Sequence, residues 1–152
     1  MRRFAVAALA GLLATQSSAS LALEPGSPAT CSGPIKKILL IKRKPGTTHE
    51  QFRDYYENHH APLALRLLGP FMLDYRRNFI QPPDPTTTST NRPPVEWDVV
   101  TELWFKNRED MAAMYARARS PEIRAQIDAD EKKFMDQPAN RQFSVDECQT
   151  KQ

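Results

Sequence analysis

The sequence predicts an α+β fold in which an antiparallel sheet of four strands carries its helices on one face. Three observations predict it. Four stretches have the apolar spacing of strands, two longer stretches repeat apolar residues at helical spacing, and their order is β-α-β-β-α-β with the second helical segment split. That order is the split βαβ pattern of a ferredoxin-like fold.

Residues 35–44 form the first expected strand, rich in Ile and Leu and closed by the turn signal Pro45-Gly46. A helix follows: Thr48 and Gln51 are spaced as a capping box, and Phe52, Tyr55, Tyr56, His59, His60, Leu63 and Leu67 recur at helical spacing until Gly69-Pro70. Pro62 lies inside that run and has no N–H to give residue 58, so a kink is expected beside the histidines. Residues 71–80 are the second expected strand. The stretch "QPPDPTTTSTNRPP" then has no apolar anchor, and residues 81–95 are read as a mobile surface loop. Residues 97–105 make the third strand. Asn107 caps a helix to about residue 119, and Ser120-Pro121-Glu122 opens another, with proline at its favoured first position, to about residue 135. Residues 142–146 supply the last strand.

The chain start points to export. Arg2 and Arg3 precede an apolar run from Phe4 to Ala14 and then small residues, the layout of a secretory signal peptide over residues 1–22, too short to span a bilayer. Cleavage is expected after Ala22 in preference to Ala19, leaving a leader over residues 23–34 and a single domain over residues 35–148. The destination is the periplasm or the extracellular space, with no stable membrane insertion of the mature chain. The whole chain has 21 Lys plus Arg against 18 Asp plus Glu; without the two signal arginines it has 19 against 18. Cations are not interleaved with aromatics, so nucleic-acid binding is not expected.

The two cysteines, Cys31 and Cys148, flank the structured region, and in an exported chain a bridge is the expected state. In a ferredoxin-like sheet the first and last strands are antiparallel neighbours, which brings the residues before one near those after the other.

The third strand is the most informative. Alternation puts Trp97, Val99, Thr101, Leu103 and Phe105 on one face and Asp98, Val100, Glu102 and Trp104 on the other. The first set suits a core under helices. The second leaves the opposite face either solvated or covered by a second copy packing sheet against sheet.

Read together, "LLIKRKPGTTHEQFRDYYENHHAPLAL", "LDYRRNFI", "WDVVTELWF" and "SPE" resemble the EthD family of dimeric α/β-barrel proteins, over roughly residues 35–146. The order and spacing of Phe52, Tyr56, His60-Ala61-Pro62-Leu63, Tyr75, Asn78, Asp98 and Glu102 to Phe105 carry the resemblance. The signal peptide, His59 and the Pro/Thr loop depart from it. The resemblance implies a homodimer closed through its sheets into a barrel with an interior ligand pocket. Relatives implied by it break down organic compounds or act without cofactor on polyketide aromatics; other dimeric barrels isomerise lactones, oxidise quinol-like substrates or bind haem.

His59 and His60 raise the question of what they do. Adjacent helical residues point about 100° apart, so they do not readily share an ion, and no metal site is expected. His60 fits an acid/base role, oriented by Asp98 or Glu102; alternatively a histidine here bonds the carbonyl released by Pro62. Tyr75 is a candidate phenolic donor or a half-buried packing residue, and Trp104 a platform for a flat ligand or a dimer anchor. Asp98 on a strand must be paired if buried, by a function or by Arg43, Arg76 or Arg77. The expected site is therefore His60, Asp98 and Tyr75 as catalytic groups, with His59, Asn78, Glu102, Trp104 and Tyr56 against a small organic ligand. The expected function is a cofactor-free lyase or isomerase on a small aromatic or lactone-like compound. A non-catalytic periplasmic binding protein and a haem-dependent enzyme are the alternatives.

Overall fold

The computed structural model describes residues 33–81 and 95–148. The expected signal peptide, most of the leader with Cys31, and nearly all of the Pro/Thr loop lie outside the described residues. Four strands, β1 (Ile35–Ile41), β2 (Asp74–Phe79), β3 (Val99–Phe105) and β4 (Arg141–Val145), form one sheet in the order β2-β3-β1-β4. Every pairing is antiparallel. With the helices between β1 and β2 and between β3 and β4, this is the ferredoxin-like arrangement that the element order predicts.

The first strand is shorter than expected because Lys42–Lys44 leave the sheet to tie down the far end of the chain. The Lys42 N–H donates to Asn140 Oδ1 at 3.0 Å, the Lys44 N–H to the Phe134 carbonyl at 2.7 Å, and Arg43 forms a lone bridge with Met135. Gly46 follows with φ of +83°, the left-handed conformation that the Pro-Gly turn requires. Thr48 then caps α1 (His49–Tyr55) with both bonds of the box present, at 3.2 and 2.9 Å. The second strand starts late because Gly69–Phe71 form a 3-10 turn that ends α2 (Ala61–Leu68). Asn107 caps α3 (Arg108–Ala118) by accepting from the Asp110 N–H at 2.7 Å, and α4 (Pro121–Phe134) begins at its proline.

From Val99 to Phe105 the predicted faces are realised, whereas Asp98, expected on the open face, precedes the strand and is buried against Arg43. Val99, Thr101, Leu103 and Phe105 are buried toward the helices, where Val99 joins Phe52, Tyr56, Ile41, Phe134 and Met135 in the main core. Leu103 and Phe105 pack with Met114 of α3 in a second cluster. On the other face Val100, Glu102 and Trp104 stay half-buried beside Ile38 and Leu40 of β1, and Phe143 of β4 is 44% exposed. No helix among the described residues lies over that face in a packed cluster. Nor is any described helix long and apolar enough to cross a membrane.

Candidate functional site

The proline at 62 shapes the site. Between α1 and α2, residues Tyr56–His60 form a π-helical turn, with the Ala61 N–H reaching back to the Tyr56 carbonyl. The chain accommodates Pro62 in the first turn of α2 and widens the turn ahead of it instead of simply breaking there. The widened turn sorts the neighbouring rings. Tyr56 and His60 face inward, their ring centroids 5.0 Å apart and edge to face, while Tyr55 and His59 stack at 4.7 Å nearer solvent. His60 is buried and His59 exposed.

The partner of His60 is Asp130 of α4, not Asp98 as the sequence reading expects. His60 Nδ1 lies 2.7 Å from Asp130 Oδ2, and the Tyr55 hydroxyl donates to Asp130 Oδ1 at 2.8 Å. Both carboxylate oxygens are thus engaged, and the pair is buried, at 8% exposure for His60 and 7% for Asp130. A carboxylate accepts, so Nδ1 of the imidazole is the donor, and in the neutral ring Nε2 carries the lone pair. Nε2 has no hydrogen-bond partner among the described residues. The ring of Phe134, 5.0 Å from that of His60, fixes the remaining side.

Beside the dyad lies a cavity of about 630 Å³ between the helices and the sheet. Its walls are mostly apolar, with Leu39, Leu63, Leu68, Leu103, Met114 and Ile127 among them, and Tyr56, His60 and Tyr75 give it a polar patch. Pockets of this size with a few convergent polar groups suit small organic ligands. The Tyr75 hydroxyl donates to the Tyr56 hydroxyl at 3.3 Å, and Tyr56 Oη is 2.7 Å from Thr101 Oγ1. Burial pushes the Tyr56 phenol up to about 12, and burial together with the neighbouring Tyr56 pushes Tyr75 well above the usual value. Both are therefore neutral donors at pH 7. Outside the lining, Arg77 donates to Glu57 with bonds of 3.0 and 2.8 Å, and that pairing holds the Glu57 carboxyl below its ordinary range.

These raised phenols have a consequence for stability. A group whose folded value lies above its unfolded value of about 10 stabilises fully below pH 10. The contribution is lost as pH rises through the folded value. The fold is therefore expected to hold its tyrosine-dependent stability to about pH 10 and lose it toward pH 12, read as a falling urea midpoint across that window. A midpoint flat to pH 12 would contradict the buried, neutral state of these rings.

The remaining expected residues lie elsewhere. Asp98 accepts from the Arg43 backbone N–H at 2.8 Å and from its guanidinium, with His49 Nδ1 at 3.7 Å, so it clamps the end of β3 to the segment after β1. Of the pairing partners open to it in the sequence, the structure selects Arg43. Glu102, Asn78 and Trp104 occupy the open face of the sheet. There Lys36 bonds Glu102 at 2.9 Å, Asn78 Nδ2 donates to Glu102 Oε1 at 3.2 Å, and Trp104 lies between Lys36 and Arg76 at 4.2 and 5.2 Å. The cavity is thus on the helix side of the sheet, opposite the face on which the barrel interior is expected. Of the expected site, His60, Tyr75 and Tyr56 share the cavity; Asp98, His59, Asn78, Glu102 and Trp104 do not line it.

Sequence reasoning misses Asp130, although a signal for it exists. Ile123, Ile127, Asp130 and Phe134 recur at helical spacing along α4, which places a carboxylate in the stripe that faces the core. A lone acid in such a stripe needs a buried partner, and His60 is the one it finds. No group of three or more His, Cys, Asp or Glu gathers for a metal ion among the described residues.

The EthD domain model matches residues 44–138 of this chain. No curated protein matches it. Among solved structures, a protein of Arabidopsis thaliana is similar with a TM-score of 0.53 at 17% identity, over 78% of this chain and 100% of its own. An ethyl tert-butyl ether D (EthD) family protein of Bacillus halodurans has a TM-score of 0.50 at 20% identity, over 74% of this chain and 98% of its own. At such identities the likeness is one of fold.

Proposed function

The chain belongs to the EthD family, and from that premise we propose that it is an exported, homodimeric protein whose helix-side cavity moves a proton on a small organic compound. The reaction class is a cofactor-free isomerase or lyase. The observation that carries the reading is the buried Asp130–His60 pair at the wall of an apolar cavity. In the step proposed, His60 Nε2 takes a proton from a carbon beside a carbonyl, and the electron pair moves onto the carbonyl oxygen. Asp130 stabilises the imidazolium that results. Tyr75 donates to the oxygen; its 3.3 Å bond to Tyr56 is long for a hydroxyl pair, so a substrate oxygen competes well for the proton. Return of the proton at a second carbon completes an isomerisation.

Mass spectrometry of the gently purified protein identifies the compound it carries, and incubation of that compound with the protein in D2O is expected to place deuterium on carbon. Binding without deuterium incorporation would leave a carrier and remove the enzyme.

Dimerisation through the open sheet face is part of the proposal. Support comes from the half-buried Ile38, Leu40 and Val100, the exposed Phe143, and the indole N–H of Trp104, which is buried without a partner. A buried donor left unmet is costly, and a facing protomer supplies acceptors. Sedimentation at micromolar concentration is expected to give about twice the mature mass. A monomer would leave the face solvated and remove the barrel.

The Cys31–Cys148 bridge also belongs here. Lys36 pairs with Val145, so the same antiparallel register carried three residues further sets Gly33 against Cys148. No free cysteine is found among the described residues. Joining positions 117 apart (148 minus 31) stabilises by roughly 4 to 5 kcal/mol in the chain-entropy model. The mature protein is expected to weigh two hydrogens less than its reduced form; two thiols titrated in denaturant without reductant would refute the bridge.

A further inference from the structure

Resting on the reading of the cavity as a small-molecule site, we infer that its ligand is an amphipathic acid, with an apolar body inside the cavity and a carboxylate held by Arg119, Arg124 and Arg141. These three arginines come from separate places in the chain: Arg119 follows α3, Arg124 lies in the first turn of α4, and Arg141 opens β4. All three line the cavity and all three are exposed, so they mark its watery end. Glu131 is the one carboxylate in the lining among the described residues, and it is occupied by Gln137 at 2.7 Å.

The arginines are not equally committed. Arg124 is paired with Asp128 at 2.6 Å, and Arg141 Nη1 donates to the carbonyls of Pro138 and Asn140 at 3.1 and 2.9 Å. The guanidinium of Arg119 has neither a hydrogen bond nor an ion pair among the described residues. The cavity therefore has an apolar interior and an excess of planar, forked donors where it meets water. An ionised carboxylate does not enter such an interior without a cation. A guanidinium fork matches its two oxygens, so the charged end stays with the arginines and the body is left to the leucines and methionines. A competing placement exists within the same cavity, with the carboxylate on a protonated His60. The two placements differ in which side chain controls the preference for charge.

Calorimetry with 2-naphthylacetate and its uncharged isostere 2-naphthylacetamide separates them. Wild type is expected to bind the acid about tenfold more tightly than the amide. Replacing Arg119 and Arg141 together by glutamine is expected to bring the acid to within about twofold of the amide while amide affinity holds, and His60→Gln is expected to keep the acid preference. Raising the salt concentration should erode the preference in wild type, as befits arginines near water. Equal binding of acid and amide by wild type overturns the inference and leaves the cavity reading standing. So does a preference that survives the arginine replacements and vanishes in His60→Gln, or an arginine variant that loses acid and amide alike. If neither compound binds, the cavity reading fails and the inference fails with it.

Discussion

Replacing His60 by alanine is expected to lower turnover of the natural compound by about 10²- to 10⁴-fold, the range for a lost acid/base group. The expectation rests on His60 lining the cavity with Nδ1 held by Asp130, which leaves Nε2 as its basic nitrogen. Asp130→Asn is expected to lower kcat more than it raises KM, because it acts on the orientation and charge of the imidazole and not on the ligand. His59→Ala and Asp98→Asn serve as the contrast. His59 is exposed and stacked on Tyr55, and Asp98 clamps Arg43, so both variants should retain near-normal turnover even if Asp98→Asn melts earlier. Circular dichroism of each variant separates a lost proton transfer from a lost fold. Wild-type turnover in His60→Ala would sink the assignment, and loss of activity in His59→Ala with His60→Ala intact would reverse it.

The second large effect is structural. Phe52→Ala is expected to cost about 3–5 kcal/mol, the range for emptying a buried phenylalanine site. Phe52 is fully buried and its ring meets those of Tyr56, Phe79 and Phe134 at 5.8, 6.2 and 5.6 Å. Against a total stability of roughly 5–15 kcal/mol, a loss of that size is a large fraction. It should be read as a lower urea midpoint at unchanged slope. Phe134 also packs on His60, so the cavity left by Phe52 gives Phe134 room to shift and loosens the imidazole. A destabilisation below about 1 kcal/mol would show that the cluster repacks around the hole and that its rings are not as tightly placed as described.

How far the sequence can be read depends on how local the determining interaction is. The Thr48–Gln51 box, the Asn107 cap, the proline opening α4 and the alternating faces of β3 were all legible because each is set within a few residues. His60 and Tyr75 were legible as residues by resemblance. Their partners were not. Asp98 and Asp130 are both acids at buried positions, and choosing between them requires knowing that β3 turns its end toward Arg43 and that α4 lies over the π turn. Sequence alternation placed Asp98 on the open face with Glu102, but it precedes the first residue of β3, where the pleat no longer dictates direction. The side of the sheet that holds the cavity escaped for a related reason. Apolar residues on the helix side look like core whether they meet each other or surround a space.

The π turn at Tyr56–His60 has a further meaning for the angular setting of the two helices it joins. It fits one residue more into the run than an α-helical turn does. It works as a vernier: drawn in to α-helical spacing with every residue kept, it would turn the side chains after it by about 100° relative to those before it. The width of this one turn thus sets the direction from which His60 meets Asp130.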